Sequence, residues 1–109
     1  MHPQVQPALT GAPELSIVLP CYNDEGSLPP LLDEIGAAMW RVGRPFEVLA
    51  VDDKSTDRTL EVLLGLQRRH AALRVLRHEM NCGESAAFAT GFARVRGEIV
   101  ITMDSDQQN

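Results

Sequence analysis

The sequence predicts an α/β fold in which a mostly parallel sheet carries helices on both faces, and three observations lead to this prediction. Short apolar segments alternate with segments whose apolar residues recur every three or four positions, as strands alternate with amphipathic helices. Several of the short segments are almost entirely apolar, which is typical of parallel strands buried on both faces. A polar loop follows each of them, and right-handed crossovers bring such loops to one edge of the sheet.

The first strand and helix follow a leader. Residues 1–14 combine three prolines with polar residues and show no periodicity, so a flexible leader is predicted there, with folded structure from residue 15 onward. The apolar run at 15–19 is the first strand. Ser27 is a good helix cap and is followed by prolines, which a first helical turn tolerates, so a helix is predicted from there to Gly43. Trp40 is expected to pack with the apolar stripe of this helix.

The same order repeats in the rest of the chain. The apolar run 46–51 predicts the second strand, and leucines at helical spacing predict the second helix at 60–67. Residues 73–76 form a shorter third strand. Small residues over 85–95 predict a third helix that approaches the sheet closely, and 98–103 is the fourth strand, which its apolar run predicts to be buried. The sheet is expected to be truncated after this strand.

Composition excludes several classes of protein. The 109 residues are 44% hydrophobic and carry a formal net charge of −5, which fits a packed domain and argues against a nucleic-acid binder, since that needs a basic face. Cys21 and Cys82 form no C-x-x-C motif, so neither a zinc site nor a disulfide is indicated, and a cytoplasmic location is the default. No histidine belongs to a ligand-spaced cluster, so the three histidines are expected to face solvent or to cap helices. No apolar run approaches the roughly 20 residues of a membrane span, and no secretion signal is expected.

Polar side chains are concentrated in the loops after the four strands, where open α/β sheets bind ligands. These loops are residues 20–25, 52–57, 81–85 and 104–109. The last one carries Asp104 and Asp106, an acidic pair suited to holding a divalent cation against a diphosphate. Neither G-x-G-x-x-G nor the P-loop pattern is present, so a Rossmann dehydrogenase and a P-loop site are not predicted. The charge of a phosphate ligand must then be balanced by a hard cation on oxygen ligands, for which Mg²⁺ or Mn²⁺ is the natural choice.

Four motifs in these loops resemble the family 2 glycosyltransferases with the GT-A fold, and among them the polyprenyl-phosphate sugar transferases such as dolichyl-phosphate mannose synthase. The family patterns are Pro-x-Tyr-Asn-Glu, Val-Asp-Asp-Gly-Ser-x-Asp-x-Thr, Asn-x-Gly and Met-Asp-Ala-Asp-Leu-Gln. The similar segments are residues 16–24, 51–59, 81–87 and 103–108. The resemblance covers residues 15–109 and implies the N-terminal nucleotide-sugar-binding part of such a domain. Lys54 replaces a glycine that often permits positive φ, so its loop is expected to be strained or differently shaped.

The resemblance also implies roles for individual residues. Nucleotide-sugar binding falls to Pro20, Tyr22, Asp24, Val51, Asp53, Asp104, Ser105 and Asp106. The implied metal ligands are Asp104, Asp106 and Gln108. The implied reaction moves a sugar, with inversion and with Mg²⁺ or Mn²⁺, from a UDP- or GDP-linked donor to a polyprenyl phosphate or glycan acceptor at the cytoplasmic face of a membrane. In the family the acceptor half and the membrane-contacting elements lie beyond the metal motif. No general base can therefore be named within this chain, and these 109 residues are not expected to transfer a sugar by themselves.

Three alternatives stay open from the residues alone. A response-regulator receiver module also has an acidic pair after a strand, here Asp52 and Asp53, and a later strand-end aspartate, here Asp104, that accepts phosphate with Mg²⁺. It leaves Tyr22 unexplained and has an apolar stretch where this chain has Asp106. A haloacid-dehalogenase-like phosphatase uses the first aspartate of Asp-x-Asp as a nucleophile, but there the motif opens the domain. A truncated, inactive nucleotide-binding remnant is the third alternative, because a half-sheet exposes an unpaired edge.

Overall fold

The computed structural model describes residues 11–105 and shows seven alternating elements. In chain order they are β1 (Leu15–Cys21), α1 (Leu28–Val42), β2 (Phe46–Asp52), α2 (Thr59–Leu66), β3 (Leu73–Arg77), α3 (Glu84–Phe92) and β4 (Ile99–Thr102). The strands form one parallel sheet in the order β3-β2-β1-β4. Each element lies within three residues of its predicted bounds, so the predicted α/β class with a parallel sheet is confirmed.

The predicted leader, residues 1–14, lies mostly outside the described residues and stays a prediction. Among the helices of residues 11–105, none combines the length and the apolarity that crossing a membrane requires.

Helices cover both faces of the sheet, which is why β1 and β2 are buried over their whole length. Alternate side chains of a strand point to opposite faces. On one face, Ile17 and Leu19 pack in a core with the apolar stripe of α1. The residues of that stripe are Leu28, Leu31, Leu32, Ile35 and Met39. On the other face, Val18 lies against Gly91 of α3, where an added Cβ would come within 2.4 Å of a Val18 methyl carbon. A side chain at this position would therefore hold α3 away from the sheet.

Gly91→Ala is expected to lower the free energy of unfolding by about 1–2 kcal/mol, because the overlap with Val18 forces a shift that outweighs the gain in helix propensity. The matched control is Gly65→Ala in α2, since no heavy atom lies within 4 Å of the Cβ position there. That change is expected to raise the free energy of unfolding by about 0.5–1 kcal/mol. Urea unfolding of the three proteins measures both effects. Equal stability of the two variants would contradict the close contact between α3 and β1.

Two expectations about burial are wrong. The apolar run at β4 predicts a buried strand, yet Ile99 and Val100 are 45% and 41% exposed. The reason is that β4 is an edge strand, and within residues 11–105 it pairs with β1 alone. Trp40 is 58% exposed instead of packing with the stripe of α1. It follows Met39, which faces the core, and successive residues of a helix point about 100° apart.

One carboxylate is buried at the start of β2, where Glu47 is 1% exposed. It accepts hydrogen bonds from the Ser16 hydroxyl at 2.6 Å, the Arg96 backbone N–H at 2.7 Å and the Arg74 guanidinium at 2.7 Å. The Gly97 N–H donates in turn to the Ser16 hydroxyl oxygen at 2.8 Å. These bonds join β1, β2, β3 and the segment that leads into β4, at the end of the sheet opposite the polar loops.

Candidate functional site

The loops that follow β1, β2, β3 and β4 surround a cleft of about 340 Å³ at the carboxyl end of the sheet. Its lining residues are Pro20, Cys21, Tyr22, Asp24, Asp53, Asn81, Gly83, Glu84, Ala87, Asp104 and Ser105. The chain runs from β1 outward to β2 and β3, and then returns across the sheet to place β4 on the other side of β1. Open α/β sheets bind ligands at such a reversal of strand order. The four loops thus meet at one edge of the sheet, as the sequence predicts.

The cleft gathers most of the described residues that are predicted to bind a nucleotide sugar. Those that line it are Pro20, Tyr22, Asp24, Asp53, Asp104 and Ser105. Val51 does not line it, because its side chain is fully buried within the sheet. Asp106 and Gln108 lie outside the described residues. Of the predicted metal ligands the structure therefore describes Asp104, whose exposed side chain is in the cleft.

Asp53 holds the third loop against the end of β2. Its carboxylate accepts hydrogen bonds from the N–H groups of Cys82 and Gly83 and from Nδ1 of His78, each at 2.8 Å. Its backbone carbonyl accepts a hydrogen bond from the Asn81 amide at 3.1 Å. Burial by itself raises the pKa of Asp53, but the hydrogen bonds from Cys82, His78 and Gly83 outweigh burial, so the pKa lies below its ordinary value. The carboxylate is therefore ionised at neutral pH, in the wall of the cleft.

His78 belongs to the site, although its sequence context does not predict it. Its side chain is 12% exposed, with Nδ1 2.8 Å from Asp53 Oδ1 and Nε2 2.7 Å from Thr90 Oγ1 on α3. Because an ionised carboxylate can only accept, Nδ1 donates to Asp53, and in the neutral imidazole Nε2 then accepts the hydrogen of the Thr90 hydroxyl. The expectation of a solvent-facing or capping histidine is wrong here. It is also wrong for His70, which is buried against Asp33 and does not line the cleft.

One feature of the sequence could have predicted that His78 belongs to the site, namely its position in the chain. It follows β3 directly, at the edge of the sheet where ligands bind.

Ser105 fastens the fourth loop to the first. Its hydroxyl donates a hydrogen bond to the Asp24 carboxylate, and its carbonyl accepts one from the Ser27 hydroxyl at 3.0 Å. Asp24 also accepts the Tyr22 N–H at 2.8 Å. The prediction that Ser27 caps α1 is wrong for its side chain, which makes no capping hydrogen bond. Ser105 is buried against Asp24, and the preceding residue, Asp104, is exposed at the cleft.

Asn23 joins the first loop to the second. Its side-chain oxygen accepts the Thr56 N–H at 2.8 Å, and its backbone N–H donates to the Ser55 hydroxyl at 3.0 Å. Asn23 and Lys54 both have positive φ, at 54° and 60°. The expected strain at Lys54 is therefore present, since a side chain disfavours this backbone region and glycine does not. The Tyr22 ring, next to Asn23, is 45% exposed at the rim of the cleft.

Known proteins are similar to this chain in sequence and in fold. Residues 16–109 match the family model described as glycosyl transferase family 2. The chain is 44% identical over 96 residues to the undecaprenyl-phosphate 4-deoxy-4-formamido-L-arabinose transferase of Pseudomonas aeruginosa, in an alignment that covers 87% of this chain and 28% of that protein.

Two solved structures are similar as well. S. aureus TarS 1–349 in complex with UDP superposes with a TM-score of 0.71 and 31% identity, over 85% of this chain and 27% of that one. The mannosyltransferase PcManGT from Pyrobaculum calidifontis, in complex with GDP-Man and Mn²⁺, superposes with a TM-score of 0.68 and 29% identity, over 94% of this chain and 30% of that one. The chain thus spans less than a third of the length of each of these three proteins.

Proposed function

Because this chain belongs to glycosyl transferase family 2, we propose that it forms the nucleotide-sugar-binding part of a metal-dependent glycosyltransferase. That membership confirms the resemblance carried by the four motifs. The observation that carries the proposal is the cleft at the reversal of strand order, because side chains from all four loops meet there. The receiver and phosphatase interpretations are set aside, since neither kind of protein belongs to this family. Donor binding is assigned to these residues, and acceptor binding to the longer protein that the relatives represent.

Asp53 and Tyr22 are suited to hold the nucleoside of the donor. An ionised carboxylate can accept about four hydrogen bonds, and Asp53 already accepts them from Cys82, His78 and Gly83. One position remains for a base N–H, which both uracil and guanine present. The half-exposed ring of Tyr22 offers a flat apolar surface against which the base can pack. We therefore assign a UDP- or GDP-linked sugar as the donor, in line with the UDP and GDP-Man held by the two structural relatives.

The diphosphate of such a donor needs a cation. The chain carries a net charge of −5, and the cleft is lined by the acidic residues Asp24, Asp53, Glu84 and Asp104. Asp104 offers an exposed oxygen, and Asp106 and Gln108 are proposed to add further oxygen ligands. Carboxylate and amide oxygens suit Mg²⁺ and Mn²⁺. When bound, the cation supplies Lewis-acid stabilisation of the charge that builds on the departing diphosphate.

The proposed acceptor is a polyprenyl phosphate at the cytoplasmic face of a membrane, and transfer to it inverts the anomeric carbon. A phosphate acceptor is already anionic, so it needs a protein base less than a sugar hydroxyl does. The undecaprenyl phosphate in the name of the arabinose transferase supports this choice over a glycan acceptor.

Calorimetric titration of the full 109-residue chain with UDP and with GDP tests the proposal. We expect one of the two to bind at least about tenfold more tightly with Mn²⁺ present, which corresponds to about 1.4 kcal/mol. In Asp106→Ala this dependence on Mn²⁺ is expected to disappear, because the variant lacks a carboxylate ligand. The matched control is Glu34→Ala, which removes an exposed carboxylate of α1 that does not line the cleft and should keep the full Mn²⁺ effect.

The possible outcomes separate the alternatives. An unchanged Mn²⁺ effect in Asp106→Ala would refute the metal role of that residue. Failure of the parent chain to bind either nucleotide would favour the inactive remnant.

A further inference from the structure

Three metal-binding groups of different chemistry meet at the wall of the cleft. One ligand atom each of Asp53, His78 and Cys82 lies within 4.8 Å of the other two. They come from the end of β2, the end of β3 and the loop before α3, so no motif with metal-ligand spacing in the sequence predicts that they meet. We propose that these three side chains form a site for a thiophilic divalent cation of the zinc class, separate from the proposed Mg²⁺ or Mn²⁺ site at Asp104 and Asp106.

The donor set fits zinc better than it fits a hard cation. Carboxylate, imidazole and thiolate are the ligand types of zinc sites, whereas Mg²⁺ and Mn²⁺ prefer oxygen. Three protein ligands leave the fourth tetrahedral position to a water molecule. Asp53 and His78 are largely buried, while the Cys82 side chain is exposed, so the cation has an open path to the thiol.

The existing hydrogen bonds leave room for the cation. Asp53 uses three of its roughly four acceptor positions, one of them for the proton on His78 Nδ1. If that proton moves to Nε2, Nδ1 offers a lone pair and Asp53 gains a second free position. The Thr90 hydroxyl, 2.7 Å from Nε2, can accept as readily as it donates, so it holds the ring in either tautomer. Metal-bound histidines typically have a partner of this kind on the other nitrogen.

The charges balance on binding. The Asp53 carboxylate is already ionised, the imidazole stays neutral, and the Cys82 thiol releases one proton and gives up its weak hydrogen bond to the Met80 carbonyl. A dication, a carboxylate and a thiolate then sum to zero, which lowers the cost of holding the ion in a partly buried site. The proposed function also places the nucleobase against the Asp53 carboxylate, so zinc and nucleotide should compete for this one side chain, and this consequence rests on that function.

The experiment titrates the full reduced chain with Zn²⁺ and with Co²⁺, without nucleotide, so its failure is distinct from a failure of the proposed function. We expect one ion per chain and, with Co²⁺, the near-ultraviolet charge-transfer absorption of a thiolate ligand. Cys82→Ser should abolish that absorption and weaken Zn²⁺ binding at least about tenfold, while keeping the backbone N–H that Asp53 accepts. Thr90→Val should weaken Zn²⁺ binding by about 10–100-fold, since outer partners of ligating histidines have effects of that size.

Cys21→Ala is the matched control, because it removes the other thiol, which is buried. It should keep both the absorption and the zinc affinity. Circular dichroism of each metal-free variant checks that the fold is intact. A Co²⁺ complex without thiolate absorption, or a Zn²⁺ affinity that is the same in Cys82→Ser as in the parent chain, would overturn the proposal and place any bound zinc on the acidic residues of the cleft.

Discussion

Asp53→Asn is expected to lower the free energy of unfolding by about 2–4 kcal/mol and to weaken nucleotide binding at least about tenfold. Asparagine keeps the size of the side chain but replaces one acceptor oxygen with an NH₂ group that can only donate. The groups that surround this side chain are all donors, namely the N–H groups of Cys82 and Gly83 and Nδ1 of His78. At least one of them loses its partner, and hydrogen bonds to a charged group are each worth about 1.5–3 kcal/mol.

The measurement pairs urea unfolding with calorimetric titration of the nucleotide in Mn²⁺. Asp52→Asn is the matched control, because Asp52 is the adjacent buried carboxylate and accepts its side-chain hydrogen bonds from Ser55 alone among the described residues. For Asp52→Asn we expect the free energy of unfolding to fall by about 1 kcal/mol and the nucleotide affinity to stay unchanged. If the two variants bound nucleotide equally well, Asp53 would not be the contact for the base.

The order of the elements and the edge that carries the site follow from local sequence features. In a parallel sheet every strand presents its carboxyl end to the same edge, so an apolar run followed by a polar loop fixes where that loop lies. This is why residues as far apart in sequence as Tyr22, Asp53 and Asp104 line one cleft. The apolar period of α1 likewise fixes which of its residues face the sheet, with Trp40 misassigned because it adjoins that stripe.

The features that the sequence does not reveal depend on contacts between distant elements. His78 lies in the site because α3 approaches the sheet closely enough to bring Thr90 to its Nε2, and that approach depends on Gly91 meeting Val18. The small residues of α3 predict the close approach, but no periodicity encodes which side chains then meet. The exposure of β4 also depends on the whole sheet, because β4 lies at its edge. An apolar run in the sequence does not distinguish an edge strand from a central strand.

Replacing Glu47 by glutamine is expected to lower the free energy of unfolding by about 3 kcal/mol at pH 7, without opening a cavity. The carboxylate accepts hydrogen bonds from four donors, namely the Ser16 hydroxyl, the Arg96 backbone N–H and the guanidinium groups of Arg74 and Arg96. The glutamine side chain can accept hydrogen bonds from these donors through one oxygen only. Its NH₂ group takes the place of the other carboxylate oxygen and faces N–H and O–H groups that also donate. When one member of a buried ion pair is removed, most of the loss in stability comes from the partner groups that are left without their counter-charge.

The loss in Glu47→Gln should depend on pH in a defined direction. Burial by itself raises the pKa of Glu47, but the hydrogen bonds from Ser16, Arg96 and Arg74 outweigh burial, and the pKa in the folded chain lies below its ordinary value. The unfolded chain, with a glutamate pKa of about 4.3, therefore binds a proton first as the pH falls. The stability that Glu47 contributes is complete above that value and is lost as the pH drops through the folded pKa.

Urea unfolding at a series of pH values should therefore show the gap between the parent chain and Glu47→Gln narrowing as the pH falls below about 4.3. Glu14→Gln is the matched control, because Glu14 pairs with Arg44 at the surface, where its side chain is 49% exposed. Exposed pairs contribute about 0–1 kcal/mol, so that variant should track the parent chain across the series. A constant gap for Glu47→Gln at every pH would mean that the glutamine costs stability through packing, and that the charge of Glu47 does not stabilise the sheet.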